Sequence, residues 1–170
     1  MDQGRDWVKA FIGLGANVGE PLAQLQSACK ALQTFPKIKG FKSSRFYVSA
    51  PWQATGPDFV NAVVEITTLL TAPELLSLMQ EIERAAGRQR PYRHAPRTLD
   101  LDLIFFGHST ISSPSLVVPH PRWSERAFVL KPLADLAPEL VENLDWKKLE
   151  GQGISVLEQP TEVQAPFICT

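Results

Sequence analysis

Residues 59–87 read FVNAVVEITTLLTAPELLSLMQEIERAAG, an apolar run that gives way to a helical pattern. The first part, 59–69, is rich in β-branched and aromatic side chains and predicts a long strand. Thr71-Ala72-Pro73-Glu74 has the form of a capping box, in which Thr and Glu satisfy each other's backbone N–H groups. Leu75, Met79, Ile82 and Ala86 then recur at helical spacing, and Gly87 marks the end. A strand followed directly by an amphipathic helix is half of an α+β unit, and the flanking sequence supplies the rest.

Downstream, a loop rich in arginine leads into a strand over 98–106. Upstream, the apolar stretch Val8 to Leu14 predicts a buried strand. A helix starts near Glu20-Pro21, with Leu22, Leu25, Cys29, Leu32 and Phe35 on one face, and Pro36 stops it. Residues 38–48, IKGFKSSRFYV, alternate well enough for one partly exposed strand, and 49–58 form a loop that exposes Trp52. Residues 107–122 read as loop with a short strand or two; Ser124 is placed to cap a last helix through Leu130, limited by Pro132. The order β-α-β-β-α-β, plus a C-terminal helical or strand addition, predicts an α+β fold of the ferredoxin-like sandwich type. A single domain over 1–170 is expected, with the motifs in 8–142 and an extension over 146–170 that ends in a tail.

Composition narrows the function. Hydrophobic residues make up 44% and charged residues 21%, as in ordinary globular proteins, and no apolar run is long enough to span a bilayer. The first six residues carry two acids and no apolar core, unlike a signal peptide, and Cys29 and Cys169 do not suggest a disulfide framework. A cytoplasmic location follows as the expectation. A formal net charge of -1 argues against bulk binding to nucleic acid or anionic membrane. Charge is unevenly spread, however: Arg84 to Leu99 holds five arginines, one histidine and no acid. A locally basic segment in a neutral chain points to a small anion such as a phosphate.

The sharpest chemical signal is RTLDLDL at 97–103. Residues two apart in a strand share a face, so Asp100 and Asp102 point one way while Leu99, Leu101 and Leu103 point into the core. Adjacent carboxylates repel unless a cation lies between them, and this hard-oxygen pair suits Mg²⁺ with phosphate oxygens completing its shell. The bland alternative is an exposed strand face whose aspartates pair with nearby arginines. The preceding loop, GRQRPYRHAPR at 87–97, reads on composition alone equally as a solvated charged loop or as phosphate-binding guanidinium groups on a segment that can close as a lid, and its place beside the Asp pair favours the second. His120 lies between prolines in VPHPR, where it can donate to a phosphate, although a lone histidine is more often structural. Gln80 and Glu83 share a helix face beside the loop, which by itself reads as solvated surface. Asn61 shares a strand face with Phe59, and an amide beside an aromatic ring can read the edge of a flat heterocycle. No P-loop is present, and Gly13, Gly15 and Gly19 lack dinucleotide-fold spacing.

FIGLGANVG (11–19), FVNAVVEI (59–66), EIERAAGRQR (81–90), APRTLDLDLIFFG (95–107) and VPHPRWSERAFVLKPLADLAPEL (118–140) together resemble the motifs of 6-hydroxymethyl-7,8-dihydropterin pyrophosphokinases, over roughly residues 8–142. The resemblance implies transfer of pyrophosphate from ATP to the hydroxymethyl oxygen of a reduced pterin, with release of AMP, in folate synthesis. It further implies two Mg²⁺ ions on Asp100 and Asp102, and catalytic roles for Arg88 and Arg97. Gln80, Glu83, Arg90, His120 and Arg126 match positions lining the nucleotide site, and the backbone near Leu103 and Val117 would read adenine. Phe59 and Phe128 match stacking aromatics, Asn61 the amide that reads the ring edge, and Ser49, Ala50 and Trp52 the loop that closes over the pterin. A monomer acting on small molecules, without nucleic acid or membrane, is the expectation. Three rivals share parts of the pattern. One is another two-metal enzyme, transferring a nucleotidyl group or cleaving a phosphodiester; another is an RNA-recognition module, whose central strands would need basic and aromatic residues where FVNAVVEI and LDLDLIFF stand; the blandest is a ferredoxin-like regulatory module, which leaves the Asp pair unexplained.

Overall fold

The structure, a computed structural model, describes residues 4–51, 56–87 and 99–157. Among the described residues eleven strands and helices follow in order: β1 (Val8–Ala16), α1 (Pro21–Gln33), β2 (Ile38–Ser43), β3 (Tyr47–Ser49), β4 (Phe59–Thr68), α2 (Ala72–Gly87), β5 (Asp100–Phe106), β6 (Ile111–Ser112), β7 (Val117–Val118), α3 (Ala127–Leu136) and β8 (Ile154–Val156). Short 3₁₀ turns occupy Trp123–Glu125, Pro138–Leu140 and Trp146–Leu149. The main sheet has the order β5-β1-β4-β3-β8, with β2 also paired to β4, and every pairing is antiparallel. The fold is α+β. β6 and β7 form a separate two-stranded ribbon.

Alternation along the central strands divides the core in two. Ala10, Ile12, Leu14, Ala62, Val64, Ile66, Leu101 and Leu103 face α1 and α2, packing with Leu25, Cys29, Leu32, Leu75 and Met79. Phe11, Val63 and Ile104 face the other way and pack with Val129, Leu130 and Leu133 of α3 and with Val141 and Leu149 beyond it. Each large aliphatic side chain fully removed from water contributes about 1.5–3 kcal/mol, so both helical layers are held chiefly by these stripes. The capping box at the start of α2 is made: Thr71 N donates to Glu74 Oε1 at 2.9 Å, and Glu74 N to Thr71 Oγ1 at 3.3 Å.

Two elements differ from the sequence reading. The single strand expected over 38–48 is broken into β2 and β3, because Ser43 pairs with Val64 while Tyr47 pairs with Asn61, one residue too many on the shorter partner. Ser44 fills the gap, its hydroxyl accepting from Val63 N at 2.9 Å and its own N–H donating to Val63 O at 2.8 Å. The last helix does not begin at Ser124 or end at Leu130. It runs over 127–136 with Pro132 inside it, and Ser124 lies in the preceding 3₁₀ turn. Proline forfeits one backbone hydrogen bond, but Pro132 is buried in the same layer as Leu130 and Leu133, whose packing offsets that loss.

Candidate active site

α3 covers only part of its sheet face. On the remainder, the register sets Asp100, Gly15, Asn61 and Tyr47 in one row across β5, β1, β4 and β3, with Asp102, Gly13 and Val63 in the next. The two glycines make the floor of a cleft of about 300 Å³. A Cβ on Gly15 would stand 3.2 Å from Asn61 Oδ1, and one on Gly13 3.3 Å from Ile104 Cδ1. The floor is therefore clear because β1 has no side chains there, and the walls are carried by its neighbours. Across the floor, the β3–β4 end carries Ser49, Ala50, Phe59 and Asn61 and the β5 end Asp100 and Asp102; His120, Arg122, Arg126 and Phe128 line the cleft from the segment that enters α3.

At the first end, Asn61 Nδ2 donates to Ser49 Oγ at 2.6 Å, and both residues are buried. That bond fixes which way the amide faces, leaving a second N–H and the carbonyl oxygen to address a ligand. The Phe59 and Phe128 rings add flat apolar surface, which suits a planar heterocycle.

The second end is polar and charged. Asp100 and Asp102 alternate with buried Leu101 and Leu103 on an edge strand, so the core fixes their shared direction. Beyond them β5 carries a bulge: Leu103 pairs with Ile12 but Phe105 with Phe11, leaving Ile104 as the extra residue. The Ile104 carbonyl accepts from His120 N at 3.0 Å, which ties the VPHPR loop beside the aspartates. His120 Nδ1 accepts from Arg122 N at 3.3 Å, so in the neutral ring the proton sits on Nε2. Burial pushes the His120 pKa below its usual value, against the pull of Asp102 and with the help of Arg126 and Arg122. Arg126 stands over the Phe128 ring at 5.5 Å, and its buried Nε–H has no hydrogen-bond acceptor among the described residues. Such an orphaned donor is costly unless a ligand supplies the acceptor.

The cleft thus brings together Ser49, Ala50, Phe59, Asn61, Phe128, Asp100, Asp102, His120 and Arg126 from the sequence reading. Four other expected residues do not line it. Glu83 Oε2 accepts from Leu101 N at 3.1 Å, capping the open edge of β5. Gln80 is exposed on α2, Val117 is exposed on β7, and the Leu103 side chain belongs to the core under α1 and α2. Trp52, Arg88, Arg90 and Arg97 lie outside the described residues. Sequence reasoning passed over Gly13, Gly15, Arg122 and Trp123. The signal was present in Gly13-Leu14-Gly15, two glycines on one strand face around a core leucine, but the test applied was for a phosphate-binding turn.

A family model described as 7,8-dihydro-6-hydroxymethylpterin-pyrophosphokinase (HPPK) matches residues 11–138, spanning β1 through α3. The chain belongs to the HPPK family. One relative, the 2-amino-4-hydroxy-6-hydroxymethyldihydropteridine pyrophosphokinase of Pseudomonas aeruginosa, is 44% identical over 133 residues, which cover 78% of this chain and 82% of that protein. The Bacillus subtilis protein of the same name is 37% identical over 155 residues, covering 91% and 93%. Among solved structures, a Plasmodium falciparum HPPK-DHPS chain superposes with a TM-score of 0.65 at 14% identity, over 81% of this chain. This HPPK-family chain spans 43% of the length of that Plasmodium chain. No helix among the described residues is long and apolar enough to cross a membrane.

Proposed function

We propose that the chain transfers the terminal pyrophosphoryl group of ATP to the hydroxymethyl oxygen of 6-hydroxymethyl-7,8-dihydropterin, releasing AMP, in folate synthesis. The observation that carries this reading is one glycine-floored cleft with two chemically distinct ends. Its amide-and-phenyl end suits a flat heterocycle, and its charged end suits phosphates. We take the enzyme to be a cytoplasmic monomer and a single domain over 1–170. Its core, 8–142, we read as a ferredoxin-like βαββαβ sandwich, for which the strand order β5-β1-β4 flanked by β2 and β3 is the support.

Two Mg²⁺ ions belong to this proposal, held by Asp100 and Asp102. Both carboxylates line the cleft, and among the described residues no group of three or more His, Cys, Asp or Glu forms a complete protein cage. That donor set fits Mg²⁺, which takes one or two carboxylates and completes its shell with phosphate oxygens and water. When bound, Mg²⁺ would neutralise charge on the phosphates.

The chain's own residues orient the reactants. Asn61 and Ser49 hold the pterin edge while Phe59 and Phe128 stack, which places the hydroxymethyl group toward the aspartates. Arg126 Nε–H and His120 Nε2–H donate to phosphate oxygens. Gln80, Glu83 and Arg90, with the backbone at Leu103 and Val117, hold the nucleotide; Arg88 and Arg97 close over its phosphates, and Ala50 and Trp52 over the pterin. The hydroxymethyl oxygen forms a bond to the β-phosphorus as the bridge to the α-phosphate breaks, AMP takes the electron pair, and the alcohol proton passes to solvent. Positioning and charge supply most of the rate.

Product analysis by ³¹P NMR tests this directly. AMP and a pterin pyrophosphate are expected in equal amounts from ATP, Mg²⁺ and the pterin. Asp102→Asn should lower turnover at least about 100-fold, because a neutral amide replaces one of the two carboxylates that would hold Mg²⁺. Full turnover in that variant, or release of free pyrophosphate instead of the pterin ester, would overturn the assignment.

A further inference from the structure

The family match ends at residue 138, yet the chain beyond it holds the walls of the cleft together. Gln152 reaches across 25 residues to the start of α3: its Oε1 accepts from Ala127 N at 2.9 Å. Its Nε2 donates to Glu125 O, also at 2.9 Å. These two bonds bracket Arg126, whose backbone is extended (φ -116°, ψ 112°) at the joint between the 3₁₀ turn and the helix. No side chain local to that joint caps the helix. The next residue does the same for the opposite wall, since Gly153 O accepts from Ala50 N at 3.0 Å, and β8 continues by pairing with β3.

We propose that Gln152 is a positioning residue, setting where Arg126 and Phe128 stand over the cleft relative to Ser49 and Asn61. This rests on the pyrophosphokinase reading for its effect on turnover, and on geometry alone for its effect on Phe128. A side chain that fills the open N–H of a helix's first turn and also grips the preceding carbonyl leaves the residue between them little freedom. Arg126 needs that restraint because its buried Nε–H has no acceptor among the described residues to hold it. The C-terminal addition is thereby a working part of the site.

Two variants separate positioning from mere stability. Gln152→Met keeps the length and makes neither bond; Gln152→Glu keeps the acceptor for Ala127 N–H and loses the donor to Glu125. Thr71→Ala, which weakens the cap of α2 away from the cleft, is the stability control. Gln152→Met should show faster amide exchange at Ala127, shifted Phe128 ring resonances, and kcat/KM for the pterin lower by about tenfold or more. Gln152→Glu should recover part of that loss, and Thr71→Ala should lower only the melting temperature. Gln152→Met that melts lower yet keeps both its Phe128 resonances and its kcat/KM within about twofold of wild type would overturn the proposal. If Gln152→Met does not fold, Gln152→Glu decides: wild-type kcat/KM overturns it. Absence of turnover in the wild-type enzyme would sink the pyrophosphokinase reading instead, while the Phe128 resonances would still judge the role of Gln152.

Discussion

Replacing Gly15 with alanine should cost ligand affinity and leave the fold nearly as stable as before. Gly15 lies near the C-terminal end of β1, still paired on both sides with Asn61 and Asp100, so a methyl group there reduces unfolded-chain entropy, a gain of about 0.5–1 kcal/mol. Against that gain, the new Cβ would stand 3.2 Å from Asn61 Oδ1, a few tenths of an ångström too close for comfort. Asn61 is buried and already bonded to Ser49 at 2.6 Å, so it yields only by turning its amide. The two effects nearly cancel in stability, and for a chain of this size the melting temperature should move by no more than a few degrees. Binding has no such compensation. On the proposed reading, displacing the amide would forfeit one or two hydrogen bonds to the pterin edge, each worth about 0.5–1.5 kcal/mol. Together that is about 0.5–3 kcal/mol, so pterin affinity should fall by between about 2-fold and about 150-fold. Calorimetric titration with the pterin, in the presence of Mg²⁺ and a non-hydrolysable ATP analogue, measures this directly. Gly13→Ala is the matched comparison, because its Cβ meets the apolar Cδ1 of Ile104 at 3.3 Å rather than the Asn61 amide. That variant should keep pterin affinity within about threefold. A folded Gly15→Ala protein that binds the pterin as tightly as wild type would show that the bare floor beside Asn61 is not what seats the ring.

Ser44→Ala should destabilise the protein by about 1–3 kcal/mol in chemical denaturation, because Val63 N–H loses the hydroxyl acceptor that bridges the break between β2 and β3; an effect below about 0.5 kcal/mol would refute that role. Tyr47 donates to Asp135 Oδ2 at 2.8 Å, and burial, reinforced by that carboxylate, raises its phenol pKa to about 12. A raised folded-state value means the contribution is fully present below the ordinary value near 10 and is lost as pH climbs through about 12. Wild-type stability should therefore decline more steeply than that of Tyr47→Phe between those limits in pH-dependent unfolding; parallel curves would refute the assignment.

Periodicity made much of this protein legible before any coordinates. The stripe of Leu75 and Met79, the Thr71–Glu74 cap and the alternation of Asp100 and Asp102 with leucine depend on neighbours within a few residues, and the structure contains each of them. The residues joined in the cleft come from five separate segments, and a local pattern cannot state their mutual distances. Asn61 and Ser49 are 12 residues apart, and their bond exists because β3 pairs with β4 in one register. Gly13 and Gly15 gained a role only when β4 and β5 were laid on either side of them. The same holds for the break at Ser44, the bulge at Ile104 that anchors His120, and the reach of Gln152 to Ala127. Short-range sterics and hydrogen bonding determined the elements and the direction of each side chain along them. Strand register and the packing of α3 decided which of those side chains share a site, because only pairing between distant segments sets their separation.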